Sequence, residues 1–199
     1  MAYEVGYRLR PIQWLYLTLS GFHNQLDHML STDLLTTFVE PSPAPAHLIF
    51  PATFGNTLHG TSNGGEITAD VRLTSWWRWT ANYSYLHISV SRDPDSADVS
   101  QERQYEGASP AHQVQIQSSV DLPRQLQFDW TIRHISALRA GPVPAYTTTD
   151  IRLAWRTRAD LELAVIGQDL AHAHHLEWPG GPSNVLIARR ALATVTWRR

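Results

Sequence analysis

The sequence contains no cysteine among its 199 residues. It can therefore hold neither a disulfide framework nor a zinc site built from thiolates. Its net charge of -2 at pH 7 creates no strong overall field, so we expect no nucleic-acid partner. No stretch approaches the roughly 20 consecutive apolar residues of a membrane-spanning helix, which excludes a helical membrane protein. A membrane protein built from strands is still compatible with this sequence, because each strand mixes apolar and polar residues.

The first residues, MAYEVGYRLRPIQWL, lack the basic, apolar and small-residue succession of a secretory leader. They alternate instead between polar and apolar residues, as a strand does. We therefore expect either a cytoplasmic protein or a chain whose true start lies upstream of Met1.

Polar and apolar residues alternate over most of the sequence, and the stretch GGEITADVRLTSWWRWTANYSYL at 64–86 shows this well. Every second residue counted from Ile67 lies on one side, and every second residue counted from Glu66 lies on the other. After Thr74-Ser75 the pattern resumes with Trp77 on one side and Arg78 on the other. A period of two is the signature of a β-strand, so this stretch predicts two strands joined by a tight turn.

The same pattern predicts an all-β fold, an antiparallel meander of about nine long strands. The predicted strands cover residues 3–10, 15–29, 54–73, 77–86, 112–122, 126–133, 148–156, 161–165 and 185–199. We expect the first strand to end at Pro11, which has no N–H to donate, and the third to carry a bulge at Gly64-Gly65.

The predicted connections alternate between short and long. Long polar or proline-rich loops are expected over 32–48, 91–110, 137–146 and 171–184. Short turns at one end and long loops at the other are the layout of an outer-membrane barrel, with the short turns in the periplasm. Soluble lipocalin-type barrels and sandwiches also alternate, so this pattern alone does not separate the two classes.

Tryptophan placement favours the membrane interpretation. The residues near the short-turn ends of the predicted strands are Trp14, Trp76, Trp77, Trp155 and Trp197. A ring of tryptophans at one height is typical of a membrane interface, where the apolar indole contacts lipid and its N–H remains hydrated. We therefore assign the Ile67, Trp79 and Tyr83 side to lipid and the Glu66 and Arg78 side to a wet interior.

Several stretches resemble the C-terminal barrel of TonB-dependent outer-membrane receptors. They are YEVGYRLRPIQWLYLTLSGFHNQLDHML, GGEITADVRLTSWWRWTANYSYL, GASPAHQVQIQSSVDLP, VPAYTTTDIRLAWRTRADLELAVIGQDLAHAHH and the final TVTWRR, in the order that the family has them. The resemblance implies a bacterial outer-membrane location, a barrel of 22 strands with a plug domain inside, and energised uptake of scarce nutrients such as ferric siderophores.

The chain also departs from that family. About nine strands and no plug suggest that residues 1–199 form only the C-terminal part of such a barrel. The partners implied are outer-membrane lipid, the missing N-terminal barrel and plug, and the TonB complex only through that missing part. Family members usually end in an aromatic residue that the assembly machinery reads. The corresponding assembly signal here is Val195, Trp197 and Arg199, which places an arginine last.

We expect no enzyme activity and no cofactor, and we identify no catalytic residues. Charged residues on the polar side of the strands are candidates to line the lumen: Asp70, Arg72, Arg78, Asp129, Arg133 and Arg152. Ion pairing across the wall is the preferred explanation for each of them. The aspartates of DPDSAD fail the calcium-loop pattern, because Asp98 and Gln104 stand where glycine and glutamate are required. This segment is expected to be a solvated loop.

Two other functions are carried as alternatives. A self-contained soluble β-sandwich or small barrel could bind a sugar or small ligand through exposed aromatics, and it would fold without detergent. A metalloenzyme could use His172, His174 and His175 as metal ligands. Their spacing matches no two-histidine helical site, and a polar junction between strand and loop explains them better.

Overall fold

The computed structural model describes residues 1–141, 143–178 and 185–198. In these residues no helix is long and apolar enough to cross a membrane. The strands in chain order are β1 (Ala2–Ile12), β2 (Leu15–Leu34), β3 (Phe38–Glu40), β4 (His47–Ile49), β5 (Ala52–Arg72), β6 (Trp77–Arg92), β7 (His112–Leu122), β8 (Leu126–Ile135), β9 (Tyr146–Arg158), β10 (Leu161–Gln168), β11 (His174–Leu176), β12 (Leu186–Ala188) and β13 (Arg190–Trp197). One helix, α1 (Gln101–Gly107), and a 3-10 turn at Pro123–Gln125 complete the described elements.

Nine of these strands form one antiparallel sheet in the order β1-β2-β5-β6-β7-β8-β9-β10-β13. The sheet is a meander in which short and long connections alternate, so all the short turns lie at one end and all the long loops at the other. The predicted all-β fold with about nine long strands is confirmed. The sheet is not closed, since β1 and β13 each pair with only one neighbour in the described residues.

The strand prediction was wrong at two local points. β1 does not stop at Pro11 but continues to Ile12, with an irregular register between Leu9 and Ile12. Pro11 is tolerated because β1 lies at the edge of the sheet, where a missing N–H costs no ladder bond on the open side.

The predicted bulge at Gly64-Gly65 does not form, since the register with β2 and β6 is continuous through both glycines. The glycines instead allow a close approach. A Cβ atom on Gly64 would lie 2.3 Å from Cζ of Phe22 and 2.6 Å from the backbone oxygen of Tyr85. Gly64 is therefore required because the ring of Phe22 covers its backbone.

The long connections contain more regular structure than predicted. β3 pairs with β4 inside the first long loop, and β11 pairs with β12 in the last. The predicted final strand over 185–199 is divided, because residues 186–188 pair with β11 whereas β13 pairs with β10. Alternation cannot show this division, since both halves are extended and only their partners differ.

The sheet is a single layer and buries few side chains. The buried apolar residues are Leu58, Val90, Ile135, Leu138, Val143, Ala154 and Ala164. No second large sheet packs on either face in the described part of the chain. A two-layer sandwich needs an inner core between two sheets, so the soluble sandwich alternative does not match this architecture.

Candidate functional site

The register of the sheet separates a polar face from an apolar face. Directly paired residues lie on the same face. Thr68 pairs with Asn82, Asn82 with Gln115, and Gln115 with Arg133, so one row of polar side chains crosses four strands. The next row on the opposite face joins Ile67, Tyr83 and Val114. The alternation seen in the sequence therefore becomes two chemically distinct surfaces.

All six predicted lumen candidates lie on the polar face, where the structure brings only some of them together. Asp129 and Arg152 are directly paired, and Nη1 of Arg152 lies 3.0 Å from Oδ2 of Asp129. The other guanidinium nitrogen of Arg152 donates to Glu162 at 2.5 Å. The side chains of Asp129 and Glu162 are only 16% and 17% exposed, so Arg152 neutralises two largely buried carboxylates. This is the structural ion pairing that the sequence favoured.

The remaining candidates have different environments. Arg78 reaches Asp121 at 3.4 Å, and Asp70 accepts a hydrogen bond of 2.8 Å from the hydroxyl of Thr80. Arg72 has no ion-pair partner in the described residues. Arg133 carries a buried Nε that lacks a hydrogen-bond partner there. Their role as a lumen lining therefore stays a prediction.

A belt of indole rings lies at the short-turn end of the sheet, the height that the sequence predicted; Trp77, Trp155 and Trp197 occupy apolar-face positions, whereas Trp14 lines a recess beside Asp70 and Arg72 of the polar face. Trp14, Trp76, Trp155 and Trp197 are about half exposed or more. The neighbouring Trp77 donates its indole N–H to Ser118 across the strands at 3.0 Å. Such bonds satisfy the polar N–H of a ring on an otherwise apolar surface. We call these five residues the tryptophan belt.

A second belt follows the apolar face at the long-loop end. It consists of Tyr3, His23, Tyr83, Tyr85, His87, His112 and His134. Its rings are coupled: Tyr3 stacks on His23, and the Tyr83 hydroxyl lies 2.9 Å from Nδ1 of His112. We call it the tyrosine-histidine belt. Alternation in the sequence does not reveal this belt, because histidine is not apolar and the height of each residue is visible only once the strands are in register.

Between their outermost members on β6, the two belts span about the thickness of a membrane. On β6, Trp77 and His87 are ten residues apart. At roughly 3.3 Å per residue they are about 33 Å apart along the strand. A strand tilt of about 40° reduces this to about 25 Å along the membrane normal, the height of the apolar band of outer-membrane barrels. The predicted assignment of the Ile67 and Tyr83 side to lipid agrees with this geometry.

A hydrogen-bonded cluster ties the loop 93–111 to the ends of β2 and β5. Asp33 accepts hydrogen bonds of 3.0 Å from the Ser96 hydroxyl and from the Ala97 backbone N–H. Asp98 is fully buried and accepts from the backbone N–H groups of Thr32, Ser100 and Gln101 at 2.6, 2.9 and 2.8 Å. We call Ser31, Asp33, Thr57, Ser96 and Asp98 the loop clamp. The expected solvated loop is wrong at Asp98, whose carboxylate holds the start of α1.

The pKa of Asp98 is lowered from its ordinary value of 3.8. Burial alone raises this pKa, but the backbone N–H groups of Thr32, Gln101, Ser100 and Glu102 lower it by more. Hydrogen bonds to the charged form stabilise it, so the carboxylate stays ionised inside the clamp.

The three histidines near the last long loop do not converge on one site. His175 is buried, stacks on Tyr146 at 4.6 Å and lies 2.9 Å from Glu177. His174 precedes it on β11 and is exposed, as is His172. Within the described ranges no group of three or more histidine, aspartate or glutamate side chains could hold a metal ion. A metal role for these histidines is a prediction without geometric support.

The C-terminal signal residues lie on the edge strand β13. Val195 pairs with Leu163 and is exposed, and the indole N–H of Trp197 donates to Asp160 at 3.0 Å. Arg199 falls outside the described residues. The assembly role of this segment stays a prediction.

Sequence comparison identifies one family. The family model described as TonB dependent receptor-like, beta-barrel matches residues 1–168. No curated protein sequence matches the chain.

Solved structures share the fold at low sequence identity. The ferric-catecholate import receptor Fiu from Escherichia coli K12, in its closed form, superposes with a TM-score of 0.69 and 16% identity over 98% of this chain and 27% of that one. The siderophore receptor PiuA from Acinetobacter baumannii superposes with a TM-score of 0.69 and 16% identity, over 98% of this chain and 28% of that one. The FrpB iron transporter from Neisseria meningitidis, F5-1 variant, superposes with a TM-score of 0.72 and 12% identity, over 98% of this chain and 31% of that one. The chain thus spans about three tenths of each structure.

Proposed function

The chain belongs to the TonB-dependent receptor β-barrel family of the bacterial outer membrane, and from this premise we propose that it forms the C-terminal part of the wall of an outer-membrane receptor that imports a scarce nutrient. In this role the short turns face the periplasm and the long loops face the cell exterior. The apolar face contacts lipid, and the polar face lines the interior beside a plug.

The observation that carries the proposal is the pair of belts at the two ends of the apolar face. The tryptophan belt and the tyrosine-histidine belt enclose an apolar band that includes Ile67, Ala81 and Ile116. Large apolar side chains are exposed there, with Ile67 38% and Leu153 46% accessible. In water such a surface would be a liability, whereas lipid covers it at no cost.

Strand direction supports a partial wall that other strands complete. β1 and β13 both run from the long-loop end to the short-turn end. Pairing them with each other, or with the same strands of a second copy in the same membrane orientation, would give a parallel contact. Antiparallel closure needs an odd number of additional strands, which gives the even total typical of bacterial barrels. We propose that these strands, and the plug, come from the missing N-terminal part.

The cargo is proposed from the chemistry of the structural neighbours. Fiu is a ferric-catecholate import receptor and PiuA is a siderophore receptor. Another neighbour is the ferric yersiniabactin uptake receptor FyuA from Yersinia pestis. We therefore propose a ferric siderophore as the nutrient, with Asp70, Arg72, Arg78, Asp129, Arg133 and Arg152 lining the path and the TonB complex acting through the missing plug.

Lipid-dependent folding tests the proposal that the chain forms part of a barrel wall. The chain is refolded from urea in plain buffer and in phosphatidylcholine vesicles, with and without brominated acyl chains. We expect an ordered β-sheet signal only with lipid, and quenching of tryptophan fluorescence by bromines near the headgroups. A sharply folded monomer in plain buffer, with no quenching in vesicles, would contradict the proposal.

A further inference from the structure

A recess opens on the polar face at the short-turn end, where β1, β2, β5 and β6 lie side by side. It has a volume of about 490 Å³. Its lining includes Arg10, Trp14, Tyr16, Asp70, Arg72 and Arg78. The recess therefore brings arginines from three different strands together with a single lining carboxylate.

Two of these arginines face each other. Arg72 and Arg78 are directly paired across β5 and β6, and both are exposed. Like charges in directly paired positions repel each other and destabilise a sheet. Arg72 forms no ion pair within the described ranges. An anion bound between the two guanidinium groups would offset their repulsion.

The recess keeps a positive charge when both nearby carboxylates are counted. Asp70 lines it, and Asp121 lies 3.4 Å from Arg78. Arg10 donates a hydrogen bond of 2.6 Å to the backbone oxygen of Gln13, which leaves its charge uncompensated. Three guanidinium groups thus oppose two carboxylates. Arginine stays charged throughout the physiological pH range, so this excess needs no titration.

On β8 to β10 the charges at the same end of the polar face balance. Arg152 contacts Asp129 and Glu162, and Arg156 lies 3.9 Å from Glu162. Two arginines there meet two carboxylates. The unbalanced arginines therefore belong to β1, β5 and β6, where a partner from outside the described residues can supply the missing negative charge.

The residue types around the arginines indicate a protein partner. Trp14 and Tyr16 border the recess and are 50% and 40% exposed. Arginine, tryptophan and tyrosine are the residues that most often dominate the binding free energy of protein interfaces. At about 30 Å³ per water molecule, the recess admits a whole acidic side chain. An inorganic anion would use the guanidinium groups but leave both rings uncovered.

The position of the recess identifies this partner. In the proposed wall the polar face lines the interior, and the short turns lie in the periplasm. The chain spans only about three tenths of each structural neighbour, so we assign the filling of the interior to the rest of the receptor.

We propose that Arg10, Arg72 and Arg78 bind the carboxylates of an acidic segment of the plug and hold this segment against the wall near the periplasm. This inference rests on the proposed function, because only a wall around a plug brings such a segment to the polar face. The partner class is a peptide segment with closely spaced aspartate or glutamate side chains.

Binding of a labelled acidic peptide tests the site. The chain is refolded in uncharged maltoside micelles and titrated against fluorescein-labelled Ala-Glu-Ala-Glu-Ala, whose two glutamates share one face of an extended segment. The same peptide with glutamine at both positions measures binding that needs no charge. By fluorescence anisotropy we expect the glutamate peptide to bind about tenfold more tightly, equivalent to about 1.4 kcal/mol. Arg72→Gln and the double variant Arg10→Gln/Arg78→Gln should each remove most of this preference.

Arg156→Gln is the matched control. Arg156 lies on the same face and at the same end, but it has Glu162 as a partner at 3.9 Å. This variant changes the net charge of the chain by as much as Arg72→Gln does, yet it should keep the preference for the glutamate peptide. An equal loss of preference in both variants would mean non-specific attraction and would overturn the proposal. Quenching by brominated vesicles is measured for every variant, so that a folding defect is recognised separately from loss of binding.

The two proposals fail in different ways. Absence of bromine quenching in the unmodified chain would refute the membrane wall itself. Normal quenching with equal binding of both peptides, or with preference unchanged in Arg72→Gln, would refute the plug contact alone. Displacement of the glutamate peptide by an equal concentration of inorganic phosphate would assign the recess to a small free anion and overturn the proposal of a peptide segment.

Discussion

The band of the sheet between the two belts and the loop clamp at its long-loop end are stabilised in different ways. In the band a single layer of strands leaves both faces open, and large side chains such as Ile67 and Leu153 are 38% and 46% exposed. In the clamp, Ser31 and Asp98 have no accessible surface. The band depends on its surroundings to cover its apolar face, whereas the clamp supplies its own partners. Lipid should therefore control the stability of the band much more than that of the clamp.

Removing the Asp98 carboxylate should break the clamp and leave the band intact. Asp98→Ala leaves the N–H groups of Thr32, Ser100 and Gln101 without their acceptor. A buried unsatisfied donor costs about 1–3 kcal/mol, and since these donors are only partly buried we expect a local loss of about 1–3 kcal/mol in total. Hydrogen exchange in the micelle-bound chain should accelerate over 93–107 but not in β8 and β9.

Asp95→Ala is the control for this prediction. Asp95 belongs to the same loop but is exposed. Its exchange pattern should match that of the unmodified chain. Equal acceleration in both variants would mean that the clamp does not hold the loop.

Replacing Arg152 should weaken the band instead. Arg152→Met leaves Asp129 and Glu162, both largely buried, without their shared cation. Breaking a buried pair costs about 3–5 kcal/mol, and the 29% exposure of Arg152 reduces this to about 2–3 kcal/mol here. Urea unfolding in vesicles should show the loss, with exchange accelerating in β8, β9 and β10.

Arg156→Met provides the comparison on the same strand. Arg156 lies 3.9 Å from Glu162 and its side chain is 53% exposed. This exposed pair should contribute little, so the midpoint should barely move. A midpoint shift as large as that of Arg152→Met would contradict the assignment of Arg152 as the neutralising group.

A methyl group at Gly64 should disturb the band by crowding. Gly64→Ala places Cβ 2.3 Å from the Phe22 ring and 2.6 Å from the backbone oxygen of Tyr85. Phe22 can rotate, but the backbone of β6 cannot move without losing ladder bonds, so we expect a loss of about 1–3 kcal/mol. Gly6→Ala, whose nearest neighbour is 3.8 Å away, should be neutral within about 0.5 kcal/mol. Equal urea midpoints for the two variants would refute the close approach.

Acid should loosen the clamp. The folded-state pKa of Asp98 lies below its ordinary value of 3.8, so its contribution is complete above that value and is lost as pH falls through the lower one. Exchange over 93–107 should therefore rise below about pH 3.8. Asp98→Asn should remove this pH dependence, and persistence of the dependence would assign it to another carboxyl group.

The sequence by itself determined the strands of the barrel wall and the face on which each residue lies. A period of two fixes which residues share a face, and turn chemistry fixes where strands end, so β7 was predicted over the same residues, 112–122, that form it. The tryptophans of the short-turn end could be located for the same reason, since the distance of a residue from its turn sets its height in the sheet.

Tertiary structure alone decided which charges meet and what the loops form. Glu162 lies opposite Arg156 in the register of β9 and β10, yet its carboxylate accepts a hydrogen bond from Arg152, and alternation predicts neither contact. The buried Asp98 accepts a hydrogen bond from the backbone N–H of Thr32, which lies 66 positions away in the sequence. No local pattern therefore distinguishes Asp98 from the exposed Asp95. Local periodicity reports the face of a residue, whereas burial and ion pairing depend on contacts between distant segments of the chain.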